Sequence, residues 1–365
     1  MPTYLDYNAT TPLLPEALAA MQEVYAQPAN ASSVHGFGRE AKKRLEAARK
    51  TIAESISAWP GELFFTSSGT EANITALRGS KATRVLASAI EHSSVLKALP
   101  GVQSVAVTPE GVVDLAALEA LLKAHSAPTL VSIMLANNET GVIQPVAEAA
   151  KICHANGALL HCDAVQALGK IPVDFSLLGV DLLTLSAHKC GGPVGAAALI
   201  ARRELPVAAL LTGGGQESGR RAGTENIAAI AGFAAAVEKA AHCAGHMSDL
   251  RNWLDAMEAE LTNEGALIVG SQTPRLPNTS CVMMPGVGNE VQLMDFDLGG
   301  FAVSAGSACS SGRIEVSHVL TAMGLAPMQA SSAVRVSAGW GTKKAEIEAF
   351  TAAWLKLRAR LGKAA

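Results

Sequence analysis

The segment Ser186-Ala187-His188-Lys189-Cys190-Gly191-Gly192 sets an amine at the end of an apolar strand pattern, just before a glycine-rich turn. An amine partly desolvated in such a crevice has a lowered pKa and attacks an aldehyde. Ser186 and His188 stand beside it as groups that could hold a phosphate. The plainer alternative is a lysine that ends a strand in solvent. One strand earlier, Leu159-Leu160-His161-Cys162-Asp163-Ala164-Val165-Gln166 puts an acid where a second apolar run ends, with an amide three residues on. A buried carboxylate is costly unless it meets a cation. A protonated pyridine nitrogen is such a cation, and an acid against it keeps the ring electron-poor, as an electron-sink cofactor requires. Alone, Asp163 is more ordinary as a helix N-cap; beside Lys189 the functional role is the better explanation.

Upstream, Phe65-Thr66-Ser67-Ser68-Gly69-Thr70-Glu71-Ala72-Asn73 follows a strand and opens a helix, so its free N–H groups and hydroxyls suit an anion. A capping box accounts for the same residues without a ligand. Glu91-His92 and Asn137-Asn138-Glu139-Thr140-Gly141 each follow a strand too. Five polar clusters thus stand at the carboxyl ends of successive strands, where open α/β sheets bind their ligands.

The elements that must position these groups alternate between residues 60 and 240. Strands are expected at 63–66, 84–87, 129–134, 158–162, 182–186 and 196–200, several continuously apolar as in a sheet covered on both faces. A helix is expected at 146–156, ended by Gly157. The fold class is α/β: a large domain with a mostly parallel sheet covered by helices, plus a smaller α+β domain. A long helical stretch runs from 226 towards 261, and strand-like pieces follow near 280–284 and 334–337. Residues 12–245 are assigned to the large domain, and 1–11 with 246–365 to the small one.

Composition narrows the function. Of 365 residues, 49% are hydrophobic and 17% charged, which supports ample cores, and the formal net charge of -3 offers no footprint for nucleic acid or a membrane surface. Residues 1–12 have neither a basic leader nor an apolar core with a cleavage site, and no stretch is apolar enough to span a bilayer, so the expected location is cytoplasmic. The six cysteines, Cys153, Cys162, Cys190, Cys243, Cys281 and Cys309, form no CxxC pair, so no structural metal or disulfide framework is expected. Five read as core residues. Cys309 lies among Ser, Gly and Ala, which suggests an exposed, mobile loop.

In order and detail the clusters resemble the NifS/IscS-type cysteine desulfurases, class V aminotransferases of pyridoxal 5'-phosphate (PLP) fold type I. The resemblance runs from Tyr4-Leu5-Asp6-Tyr7-Asn8-Ala9-Thr10-Thr11-Pro12 through Asn30-Ala31-Ser32-Ser33-Val34-His35 to Ser304-Ala305-Gly306-Ser307-Ala308-Cys309-Ser310. It implies that Lys189 carries PLP, Asp163 meets its pyridine nitrogen, and His92 stacks on the ring and shuttles a proton. Gln166 and Asn138 would hold the phenolic oxygen, and Gly69, Thr70, Ser186 and His188 the phosphate. Thr224 would reach the phosphate of a second subunit, making the protein a homodimer. Arg335, on the polar face of the short strand pattern at 334–337, would bind the carboxylate of L-cysteine, with Asn138 also at the substrate. Cys309 would accept sulfur as a persulfide for an iron–sulfur scaffold or another acceptor protein, with a transient cluster contact as the one metal contact foreseen. Cys190-Gly191 stands where the family has a bulkier residue and an aromatic. The rivals are a selenocysteine lyase or small-amino-acid transaminase of the same class, and a sulfur-machinery adaptor without chemistry.

Overall fold

The structure, a computed structural model, describes residues 2–242, 244–306 and 316–361. After the short β1 (Thr3–Tyr4), seven strands make the main sheet: β2 (Leu63–Thr66), β3 (Arg84–Ser88), β4 (Gln103–Val105), β5 (Thr129–Ser132), β6 (Leu159–Asp163), β7 (Leu182–Ser186) and β8 (Ala197–Ala201). Their order is β2-β8-β7-β6-β5-β3-β4. β8 is antiparallel to both neighbours and every other pairing is parallel, so the other six strands end on one edge. Every residue of β2, β5, β7 and β8 is buried, as expected of strands covered by helices on both faces.

The expected strands are all present, with ends displaced by a residue or two. β4 was not foreseen: three residues at the sheet margin, two of them exposed, carry too little periodicity to be seen. The helix expected at 146–156 is Val146–Ala155, and Gly157 follows it at φ +69°.

The stretch expected as one long helix is two, Ile227–Ala241 and Ala244–Asn263. The physical reason is that they serve different cores. Ile230, Phe233 and Val237 pack beneath the main sheet. Leu250, Leu254, Met257 and Leu261 pack with Phe296, Phe350 and Trp354 in a second core. That core covers an antiparallel sheet of β9 (Leu267–Ile268), β10 (Thr279–Met283) and β12 (Ala333–Ser337), in the order β12-β10-β9, while β1 pairs in parallel with β11 (Phe301–Ala302).

The N-terminal segment joins the two cores. Leu5 is buried in the second and Leu14 in the first. Between them the backbone is tied to β12 through Ser337 N to Leu5 O (2.8 Å) and Tyr7 N to Ser337 O (3.0 Å), then to the turn after β7 through Thr11 N to His188 O and Leu14 N to Gly191 O, both 2.9 Å. This strap presses on Gly191, which adopts φ +92°, and a Cβ there would lie 2.4 Å from Leu14 Cδ1. Gly191→Ala is therefore expected to lower unfolding stability by about 1–3 kcal/mol through left-handed strain and the Leu14 contact, measured by chemical denaturation.

Candidate active site

A cavity of about 360 Å³ opens at the shared carboxyl edge of the parallel strands. Gly69, Thr70, His92, Asn138, Asp163, Gln166, Ser186, His188, Lys189 and Arg335 all border it, together with Ser304 and Gly306. Thr224 does not; it lies exposed on the turn before helix Ile227–Ala241. Cys309 lies outside the described residues.

Asp163 ends β6 and is buried. Its Oδ1 accepts from Val165 N at 3.0 Å, the cap-like bond that sequence alone suggested, while Oδ2 accepts from Asn73 Nδ2 at 2.7 Å. Asn73 also donates to Ser94 Oγ at 2.9 Å, so one amide ties helix Gly69–Gly79 to the acid and to the His92 segment. At the start of that helix the capping explanation is realised in part. Ser68 Oγ caps Glu71 N at 3.1 Å and Glu71 returns to Ser67 N at 2.9 Å. The amides of Gly69 and Thr70, by contrast, meet no acceptor among the described residues and border the cavity beside Ser186.

Lys189 sits on the turn after β7, its Nζ donating to Asn8 O at 2.6 Å and Ala9 O at 2.7 Å, both carbonyls of the strap. Burial and the amines of Lys189 and Lys170 push the neighbouring His188 down to about 4, which leaves a neutral ring for hydrogen bonding. His92 caps helix Ser93–Leu96, its Nδ1 accepting from Ser94 N at 3.1 Å. Burial lowers its pKa while Asp163 pulls the other way. A neutral ring held at one nitrogen has the other available for proton transfer.

Sequence alone put Arg335 on the polar face of a strand. In fact β12 is buried throughout, and Arg335 is 5% exposed. An ion pair makes that tenable: Nη2 meets Asp6 Oδ1 at 2.6 Å and Nη1 donates to Asn138 O at 3.0 Å, while Nε has no partner among the described residues. Asp6, Asn8, Asn73 and Lys170 are functional neighbours that sequence reasoning did not single out. Asp6, Asn8 and Asn73 did fall inside motif segments, but nothing in them told which side chains face the cavity.

Glu139 is buried against both flanks of residues 307–315. Ser317 Oγ donates to its Oε2 at 2.5 Å, and a Cβ on Gly306 would fall 2.0 Å from that oxygen. The cysteines Cys153, Cys162, Cys190 and Cys281 are buried and unpaired. Burial pushes the thiols of Cys153, Cys190 and Cys281 up to about 12 and that of Cys162 up as well, so these four behave as core residues. Cys243 is outside the described residues.

A buried acid, a lysine amine and open helix amides around one cavity suit a phosphorylated pyridine aldehyde. Asp163 would face its ring nitrogen, and the Gly69 and Thr70 amides its phosphate.

The family model for class-V aminotransferases matches residues 3–350. A cysteine desulfurase of Cereibacter sphaeroides is 41% identical over 362 residues, covering 94% of this chain and 92% of that one. Cysteine desulfurase IscS of Dictyoglomus turgidum is 39% identical, covering 94% and 91%. The X-ray structure of a NifS-like protein from Rickettsia africae ESF-5 superposes with a TM-score of 0.91 at 35% identity, covering 98% of this chain and all of that one. SspA in complex with cysteine gives 0.79 at 28% identity, covering 92% and 98%.

Behind His92, Glu91 is fully buried; its Oε1 accepts from Met134 N at 2.6 Å and Oε2 has no partner among the described residues. Burial, and then the nearby Asp163, pushes its carboxyl from the ordinary 4.5 up to about 8. The folded protein therefore keeps a proton that the unfolded chain releases above about 4.5, so this group costs stability progressively as pH rises from about 4.5 to about 8. Glu91→Gln is expected to flatten that decline, gaining on the parent as pH increases, in denaturation midpoints measured from pH 5 to 8.

Proposed function

The chain belongs to the class-V aminotransferases, and we infer that it is a PLP-dependent cysteine desulfurase, converting L-cysteine to L-alanine and an enzyme-bound persulfide on Cys309. The observation that carries this reading is the juxtaposition of Lys189, Asp163 and the Gly69 and Thr70 amides around one cavity. When bound, PLP supplies an electron-poor ring that takes up the electron pair left at the substrate Cα.

The protein's own groups do the rest. Lys189 holds the cofactor and accepts the Cα proton of the substrate. Asp163, fixed by Asn73 and Val165 N, would meet the ring nitrogen; Gln166 and Asn138 would hold the ring oxygen, and Ser186 and His188 would join the helix amides at the phosphate. Arg335 takes the substrate carboxylate as a planar fork. His92, which borders the cavity, would stack on the ring and relay a proton. The Cys309 thiolate attacks the substrate sulfur, an S–S bond forming as the C–S bond breaks and its electron pair passes to Cβ; one proton delivered to Cβ and one returned to Cα by Lys189 complete alanine. The persulfide then passes to an iron–sulfur scaffold or another acceptor protein.

In this reading the protein is a homodimer, because Thr224 stands exposed and outside its own cavity, and Val34 and Phe37, 89% and 53% exposed, offer apolar surface for a partner subunit. The free thiols of the four described buried cysteines suit a reducing, cytoplasmic setting.

Fed L-cysteine and a reducing thiol, the yellow holoenzyme is expected to release alanine and sulfide in equal amounts, with both lost in Cys309→Ala. Turnover untouched by that change would favour a lyase that needs no enzymic thiol. Lys189→Ala is expected to reduce turnover by at least about 100-fold. Asp6→Asn, which loosens the orientation of Arg335, is expected to raise KM for L-cysteine about tenfold while kcat stays within about twofold.

A further inference from the structure

Lys170 lies behind the cavity, 8% exposed and in none of the ion pairs of the described residues. Its Nζ instead donates to Gln166 Oε1 at 2.6 Å and Asn8 Oδ1 at 2.8 Å. Those two bonds settle which way two buried amides point. Gln166 has its oxygen on Lys170 and its Nε2 on Asn8 O at 2.9 Å. A flipped amide would set oxygen against the Asn8 carbonyl, losing that bond, and would leave the Lys170 amine without one of its two acceptors. The second Nε2 hydrogen meets no acceptor among the described residues, and Gln166 borders the cavity. Asn8 is fixed in the same sense: its Oδ1 takes Lys170 and Asn278 Nδ2 (3.3 Å), so its Nδ2 donates to Asn138 O (3.1 Å) and Thr279 Oγ1 (2.9 Å).

We propose that Lys170 is a positioning residue for the cofactor, acting through Gln166: its amine holds the Gln166 amide so that an N–H, and not the carbonyl, faces the ring oxygen. The proposal rests on the desulfurase reading insofar as that reading puts PLP in this cavity. A carboxylate would fit the position poorly, since a charged acceptor cannot donate to Gln166 Oε1. An amine can do so in either protonation state. Burial, with Lys189 and Arg335 nearby, drives the pKa of Lys170 well down, and a neutral amine still has the two N–H groups that its two acceptors require.

A donor at the ring oxygen stabilises that oxygen as an anion, so losing it raises the pH at which the visible band of the bound cofactor shifts. The test is a spectroscopic pH titration of the holoenzyme, with PLP affinity measured by adding PLP to the apoprotein. Lys170→Met is expected to raise the midpoint by about one pH unit, a tenfold change in proton affinity, and to weaken PLP binding. Gln166→Ala should do the same, and Lys170→Met on top of Gln166→Ala should add nothing. Lys170→Gln, which returns an N–H donor and spares the fold if the buried methionine does not, should stay near the parent midpoint. An unmoved midpoint in Lys170→Met, an equal shift with or without Gln166, or a Lys170→Gln shift as large as that of Gln166→Ala would each overturn the proposal. A parent protein that takes up PLP while these variants fail the pattern sinks the proposal alone; a parent that takes up none sinks the cofactor reading with it.

Discussion

The strap formed by residues 5–14 is the constraint on which the site depends. It is held at one end by β12 and at the other by the turn that carries Lys189. Asn8, at its middle, is 1% exposed and has every polar group engaged. Its backbone oxygen receives both Lys189 and Gln166, its side chain reaches Lys170 and Asn138 O, and its N–H meets Ser337 Oγ at 3.0 Å. A buried network this fully satisfied fixes one arrangement, because any change leaves some polar group unpaired in a low-dielectric interior.

The buried charges around the strap obey the same logic. Arg335 is affordable inside because Asp6 lies 2.6 Å away. Lys170 has no such ion pair and is accommodated by two amide oxygens. Glu91, without a cation, resolves its burial by holding a proton. These are three answers to the cost of burying ionisable groups, and all of them lie within or directly behind the cavity wall.

The large sheet and the groups at its strand ends were legible in the sequence because both signals are local. An apolar run followed by a polar cluster or a glycine turn is readable within ten residues, and Asp163, Lys189, His92 and the Gly69 turn were found that way. The missed groups depend on contacts no local pattern records. Asp6 meets Arg335 across 329 residues and Asn8 meets Lys170 across 162. Arg335 was placed on a polar face because alternation marks a half-buried strand, and nothing in Ala333–Ser337 announced an acid from the other end of the chain. The break between helices Ile227–Ala241 and Ala244–Asn263 was hidden for a related reason: both halves are rich in helix formers, and only the existence of two cores separates them.

The strap also sets a schedule for biosynthesis. The amino-terminal residues emerge first, yet Leu5, Tyr7 and Asn8 find their partners on β12, among the last strands to leave the ribosome. At about 5–20 residues per second, the nascent main sheet waits on the order of ten seconds or more after Lys189 appears before β12 can lock the strap across it. The wall that carries Asn8 and Arg335 therefore closes only after β12 has emerged. A product truncated before β12 would carry Lys189 and Asp163 but lack the strand that anchors the strap behind the lysine.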